Sequence, residues 1–225
     1  MKIVILGAGG HGQVVADIIR AGVRLAGDRA ALAGFLDDRP GLKGTRVADV
    51  PVLGTLADVG SVVADGFVVA IGDNPTRARV MRECRLAGCK LVSVLHPHSS
   101  VAHDAEIGEG TMVSAGAILV TAAHIGEGVI LNTGCTVDHH THVGDFAHIA
   151  PGVHIGGEVS IGELTLVGIG AVVLPRCRVG AGCTVGAGAV VTRDVPDGSV
   201  VVGAPARPVP ASRKHDDPRP VLVIR

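Results

Sequence analysis

Two hydrophobic rhythms divide this chain. Up to about residue 95, short apolar runs alternate with stretches of helical spacing. Residues 2–6, KIVIL, predict a short buried strand. QVVADIIRAG follows with Val14, Val15, Ile18 and Ile19 on one side and Gly22 as a stop, the pattern of an amphipathic helix. ALAGFLDD predicts a strand ending in two acids, and GFVVAIGDN a strand ending in Gly72-Asp73-Asn74. PTRARVMRECRLAG predicts a helix with Pro75 in its first turn and Gly88 past its end. KLVSVLHP closes the unit. Strand–helix alternation of this kind predicts a parallel α/β domain, about half of a dinucleotide-binding fold.

Beyond residue 95 the rhythm changes to six. Every sixth residue from Val101 to Val191 is aliphatic, sixteen positions without an insertion. The following residue is often glycine, as at 108, 126, 144, 156, 162, 168, 180 and 186. Two residues before each aliphatic stands a small or β-branched side chain, such as Ala117, Cys135, Thr141 or Ala189. So strict a period predicts a β-helix of hexapeptide repeats. One aliphatic residue per face points inward and stacks on its equivalents in neighbouring coils. Stability is then nearly one-dimensional, each coil burying its interior only against the next. A sandwich of many short strands would not hold a sixfold phase over ninety residues.

Composition narrows the class. Hydrophobic residues make up 47% of 225 and charged residues 18%, which suits a globular chain with a large core. There is no Trp or Tyr and only three Phe, so that core is built from Val, Ile, Leu and Ala in narrow layers. The net charge of −1, without a basic run, argues against a nucleic-acid partner. Five cysteines form no CxxC pair, and no signal peptide or membrane span is visible. Both point to a reduced, cytoplasmic protein.

The repeats resemble the left-handed parallel β-helix of the hexapeptide acyltransferases, with 18 residues per coil and about five coils here. IVILGAGGHGQVVAD, GFLDD, AIGDN, LNTGCTVDHHTHVGDFAHIAPG and VVGAPAR occur in an order similar to that of the sialic acid O-acetyltransferases and nucleotide-linked 4-amino-sugar N-acetyltransferases. Within that family the likeness is to the perosamine or bacillosamine type, and it fails only after about residue 208. It implies a nucleotide-sugar-binding α/β domain over 1–95, a β-helix acyltransferase domain over 96–207 and a tail over 208–225. It further implies a homotrimer that uses acetyl-CoA as co-substrate and no metal. The acceptor would be the 4-amino group of a GDP- or UDP-linked 4-amino-4,6-dideoxy sugar, in O-antigen or surface polysaccharide biosynthesis. O-acetylation of a sialic-acid-type sugar, and a non-catalytic trimeric nucleotide-binding module, remain as alternatives.

Eleven histidines give the chemistry its candidates. His124, His142, His148 and His154 each precede an inward aliphatic, so they point outward. Acyl transfer needs a group to take the acceptor's proton, donors for the developing oxyanion, and alignment of two substrates. By resemblance His139, in TVDHH, is the base, and His148, from the same or a neighbouring subunit, hydrogen-bonds near the acetyl carbonyl. Asn132 matches a position beside the active site, and Gly157 a backbone contact to the acetyl-CoA arm. Many relatives carry Asp or Glu directly after the base, where this chain has His140. Asp138 precedes the base and would normally face away. Either another acid orients the imidazole or the base needs less help. Two rival chemistries are weaker. Cys135, Cys177 and Cys183 occupy the small-residue phase, which suits packing. A zinc site of the carbonic-anhydrase-like hexapeptide type would pair His103 with His139 but finds Gly144 where its third histidine belongs.

GAGGHG, residues 7–12, fits the G-x-G-x-x-G fingerprint. A half-fold has room for one nucleotide diphosphate rather than NAD. Gly9, Gly10, His11 and Gly12 would bring backbone N–H groups to phosphate at a helix N-terminus. Asp37 and Asp38 could accept hydrogen bonds from ribose or base, and Gly72, Asp73 and Asn74 end the third strand on the same edge.

Overall fold

A computed structural model describes residues 1–209; the sequence-defined tail lies almost wholly outside the described residues. Strand β1 (Lys2–Leu6) is buried from Ile3 onward and pairs in parallel with β2 (Ala31–Leu36) and β5 (Gly66–Val69). A hairpin of β3 (Arg46–Val47) and β4 (Val50–Gly54) extends the far side, giving the order β3-β4-β2-β1-β5. β3 is antiparallel to β4, so the sheet is mixed rather than purely parallel. A two-residue edge strand also offers little to a stray pairing partner.

Helix α1 (Gly10–Ala21) buries Val15, Ile18 and Ile19, while Val14 falls on the rim of the stripe and is 42% exposed. Gly22 does not stop the chain's winding as its sequence position suggested. A π-helical turn continues over Gly22–Ala26 and ends at Gly27, where φ is 72°. Gly22 is right-handed; its missing Cβ makes room for the Asp28 carboxylate, whose Oδ2 would lie 2.5 Å from such an atom. Helix α2 (Asn74–Leu86) begins at Asp73, whose carboxylate accepts from Thr76 N at 3.0 Å, and is followed by Gly88 at φ 74°.

The second domain is a triangular prism of two-residue strands with an 18-residue register, as in Ile118 against Thr136 and Ile130 against His148. Face I carries Ser100–Val101, Ile118–Leu119, Thr136–Val137 and their successors to Val190–Val191. Face II runs from Glu106–Ile107 to Arg178–Val179. Face III begins earlier, at Val94–Leu95, and ends later, at Val200–Val202 with Arg207–Pro208 folded back on it. The segment KLVSVLHP therefore only touches the first domain's sheet, through a Leu91–Phe67 bridge, before opening the prism. The inward aliphatics and the small residues two places before them form one core.

The glycines serve two purposes at two phases. Those directly after the inward aliphatic permit close stacking: a Cβ on Gly108 or Gly162 would come within 2.6 Å of the next coil's backbone. The left-handed turn falls two residues later, at Gly110, Gly128 or Gly152, and in several coils at Ala122, His140, Phe146, Glu158, Leu164 or Arg176.

The first domain rests on face III. Outward residues there are normally wet, yet Val94, Met112 and Ile130 share a core with α1. Burying each is worth about 1.5–3 kcal/mol, enough to fix the domains together. The next outward residue along that face is His148, which lands at the margin of the covering domain.

Candidate active site

The seam between the domains gathers side chains from four parts of the sequence. Ring centroids of His11, from the glycine turn, and His148 lie 6.5 Å apart. Asn132 Nδ2 lies 3.3 Å from His148 Nε2, and its Oδ1 accepts from Thr133 N at 2.8 Å. The Gly72 backbone lies close enough to the His148 ring to act weakly in favour of its protonated form. With the Asn132 amide donating to Nε2, the proton of a neutral His148 sits on Nδ1. Burial and the nearby Arg77 guanidinium push His148 down to about 4. Burial, His148 and Arg77 do the same to His11, also to about 4. Both rings are therefore neutral at pH 7 and can accept or donate without carrying charge.

Arg77 carries no sequence signature and is the main residue that the pattern did not reveal. It is 1% exposed and spans the seam. Its guanidinium donates to Ile71 O, Gly72 O and Asn74 Oδ1 in its own domain, and to Gly128 O, Phe146 O and Ala147 O in the prism, at 2.7–3.3 Å. A planar five-donor fork suits this task as Lys would not. Its burial pushes its own proton affinity down to about 10. Only helical spacing from Asp73 on a short, polar helix could have hinted at it.

Around the glycine turn, Gly7 takes φ 103°, and a Cβ there would lie 2.8 Å from Ala70 O. A Cβ at Gly12 would collide with the Gly7 carbonyl. Gly9 and Gly10 face open space, which leaves the N-terminus of α1 approachable by an anion. Asp37 is 8% exposed and already engaged: it accepts from Ala8 N at 2.7 Å and from Arg39 N, Nε and Nη2. The Arg39 hydrogen bonds are the chief reason its carboxyl is held down to about 2. Asp37 thus holds the glycine turn in place while lining the cleft where a ribose contact was expected. Asp38 accepts from Leu56 N at 2.8 Å. A cleft of about 380 Å³ opens beside them, lined by Gly7, Asp37, Asp38, Arg39, Pro40, Leu56 and Ile71. Asp73 is the cap of α2, and Asn74 is buried, donating to Leu164 O at 2.9 Å. Gly72 alone of that trio reaches the histidine seam.

His139 is elsewhere. It sits on the corner between faces I and II, after Thr136–Val137 and before His142–Val143, whereas His148 projects from face III. In a triangular prism a corner is opposite the third face, so one chain does not bring these two rings together. Gly157, one coil on, lies against the His139 ring: a Cβ there would be 2.5 Å from His139 Cε1 and Nε2. The Asp138 carboxylate accepts from His139 N at 2.8 Å, a backbone contact that leaves the ring alone. The ring partner is His140, Nδ1 to Nδ1, at 3.1 Å. His124, His142 and His154 point outward as their phase requires, His124 pairing with Glu106 and His154 with Thr136.

Comparison with known proteins decides the lineage. Residues 2–84 match the PglD N-terminal domain and residues 158–193 the bacterial transferase hexapeptide repeats. The acetyltransferase domain of PglB from Neisseria gonorrhoeae, solved with acetyl coenzyme A, is 39% identical, with 92% of this chain and 98% of that chain covered and a TM-score of 0.85. PerB from Caulobacter crescentus, solved with CoA and GDP-perosamine, is 36% identical over 93% and 97%, also at 0.85. This chain belongs to the nucleotide-linked amino-sugar acetyltransferase family of hexapeptide β-helix proteins. The UDP-N-acetylbacillosamine N-acetyltransferase of Bacillus subtilis is 34% identical over 116 residues, about half the length of either chain.

As a member of that family the chain is an acetyl-CoA-dependent acetyltransferase. The rival nucleophile finds no support in the site, because burial pushes the Cys135 thiol up to about 12. Among the described residues no three His, Cys, Asp or Glu side chains are placed to hold a metal ion, and no helix is long and apolar enough to cross a membrane.

Proposed function

We propose that this chain acetylates the 4-amino group of a GDP- or UDP-linked 4-amino-4,6-dideoxy sugar, on a route to surface polysaccharide, with His139 as general base. The observation that carries the reading is the seam at which His11 and Gly72, from the nucleotide-type domain, meet His148 and Asn132 on face III. The N-terminus of α1 would take the diphosphate, and the cleft beside Asp38 the base or ribose. The sugar would then lie toward His148.

His139 must be supplied to that seam by a neighbouring copy, since its own corner is opposite face III. A closed trimer supplies it three times over. In the assembled site the neutral amine attacks the thioester carbonyl directly. Asn132 Nδ2 is an N–H donor at the seam for the growing oxyanion, and CoA leaves as its thiolate. His139 Nε2 takes the proton that the nitrogen sheds as the amide forms. The position of Gly157 beneath His139 would let the thin pantetheine arm pass close to the base.

A CoA-thiol release assay across GDP- and UDP-linked 4-amino sugars and their 4-hydroxy analogues tests this reading. Turnover confined to the amines supports it. Turnover of hydroxyl acceptors alone would make the protein an O-acetyltransferase, and no turnover with any acceptor would overturn the reading.

A further inference from the structure

We propose that His140 is the positioning partner of the base: its Nδ1 accepts the Nδ1–H of His139, which fixes His139 in the tautomer with a bare Nε2. This rests on His139 being the base. The contact is 3.1 Å, between rings set at 80° with centroids 5.3 Å apart. Neighbouring residues on a strand would point apart. His140 instead occupies the left-handed turn at φ 56°, which swings its ring back toward His139. The backbone pins both residues: His140 N donates to Thr121 O at 3.2 Å, and Glu158 N donates to His139 O at 2.9 Å.

Two imidazoles in Nδ1-to-Nδ1 contact share one hydrogen. If it belongs to His139, then His139 Nε2 is free to take a proton and His140 carries its own hydrogen on Nε2. The step balances within the pair. His139 Nε2 gains the amine's proton, the hydrogen between the rings passes to His140 Nδ1, and His140 releases its Nε2–H to water. Both rings end neutral with their tautomers exchanged, and the reverse transfers through water reset them. The same arrangement sets a pH condition. A first extra proton on the pair leaves hydrogens on both Nε2 atoms and one between the rings, so the base has no free lone pair. The titratable groups on this corner beside the pair are Asp138, His103, Asp104, Glu158, Arg176, Arg193 and Asp194. Asp138 binds the His139 backbone and Asp104 is held by the Thr121 hydroxyl. Glu158 and Arg176 occupy the equivalent turn positions one and two coils on. Among the described residues none of them hydrogen-bonds either ring.

The test is a set of variants at 140 in the whole protein, assayed for kcat, both KM values and their pH dependence. His140→Leu is structurally safe, because Leu164 holds the equivalent left-handed turn at φ 58°. It should lower kcat at least about tenfold with both KM values within about twofold. His140→Gln and His140→Glu each keep an acceptor and should recover most of the rate. His140→Gln should also alter the acid limb of the kcat profile, since one titrating ring is gone. In a His139→Ala background, His140→Leu should cost nothing further. Full activity in His140→Leu, or no recovery in Gln and Glu, would overturn the assignment of His140 alone. Full activity in His139→Ala would overturn the base itself.

Discussion

At His139 one imidazole meets two constraints, a glycine beneath and a second imidazole beside it. Replacing His139 by Ala should lower kcat by about 10²–10⁴-fold while leaving the acetyl-CoA KM nearly unchanged, because the prism still holds the cofactor. Steady-state kinetics at saturating acceptor read both values. Gly157→Ala probes the same ring from below. Its Cβ would stand 2.5 Å from His139 Nε2, so the ring must move, and kcat should fall by tenfold or more without unfolding. Thermal unfolding of that variant beside its kinetics separates displacement from collapse. His148→Ala should affect both kcat and the acetyl-CoA KM, for it removes the group that Asn132 orients. The outward placement of His148 and the corner placement of His139 were legible because a six-residue phase tells which side chains leave the prism; the roles proposed for them and for Asn132 come from the family likeness. The engagement of Asp37 was not legible. Nothing in GFLDD says that Arg39, two residues on, will fold back onto both oxygens of the first acid and that Ala8 N will share Oδ2 with it.

At the scale of elements, α2 adds a polar lock between the nucleotide-type domain and the prism to the apolar contact made by α1. Its inner anchor is Arg77, and an outer clamp joins Arg85 to Glu109 and Glu127. Exposed pairs of the second kind are worth about 0–1 kcal/mol. Arg77→Met is another matter, since it strands several buried carbonyls at once. It should cost at least about 3 kcal/mol in urea unfolding, and Arg77→Lys should recover only part of that. The seam also makes a pH prediction. His11 and His148 are held neutral, at about 4, against an unfolded value near 6.5. The unfolded chain therefore binds protons first, so their contribution is complete above pH 6.5 and is lost as pH falls toward 4. Melting at pH 7 and pH 4.5 should differ by roughly 5 °C or more, and His11→Gln with His148→Gln should narrow that gap. The strands and helices of this domain were legible from apolar runs and caps. The β3–β4 edge was not, because RVADVPVLG carries no alternation longer than a few residues. The continuation of α1 past Gly22 was hidden too, since a glycine that accommodates the Asp28 carboxylate looks the same as one that ends a helix.

For the whole molecule, the consequence of the prism is that its two decisive histidines are on opposite sides. The sixfold series made the prism legible, but not which of its sides the first domain would cover. That followed from Val94, Met112 and Ile130, whose outward phase on face III was a hydrophobic anomaly that only α1 explains. In the proposed assembly each active site takes His148 from one copy and His139 from the next. Mixing purified His139→Ala and His148→Ala proteins, after reversible dissociation and reassembly, tests it most directly. Every mixed trimer contains one interface at which the intact His139 of one chain meets the intact His148 of the other. Equimolar random reassembly should therefore restore about a quarter of the wild-type rate from two nearly inactive proteins. Recovery that fails to rise above the sum of the two parents, in trimers verified as mixed by native mass spectrometry, would mean that His139 and His148 do not share a site across the interface.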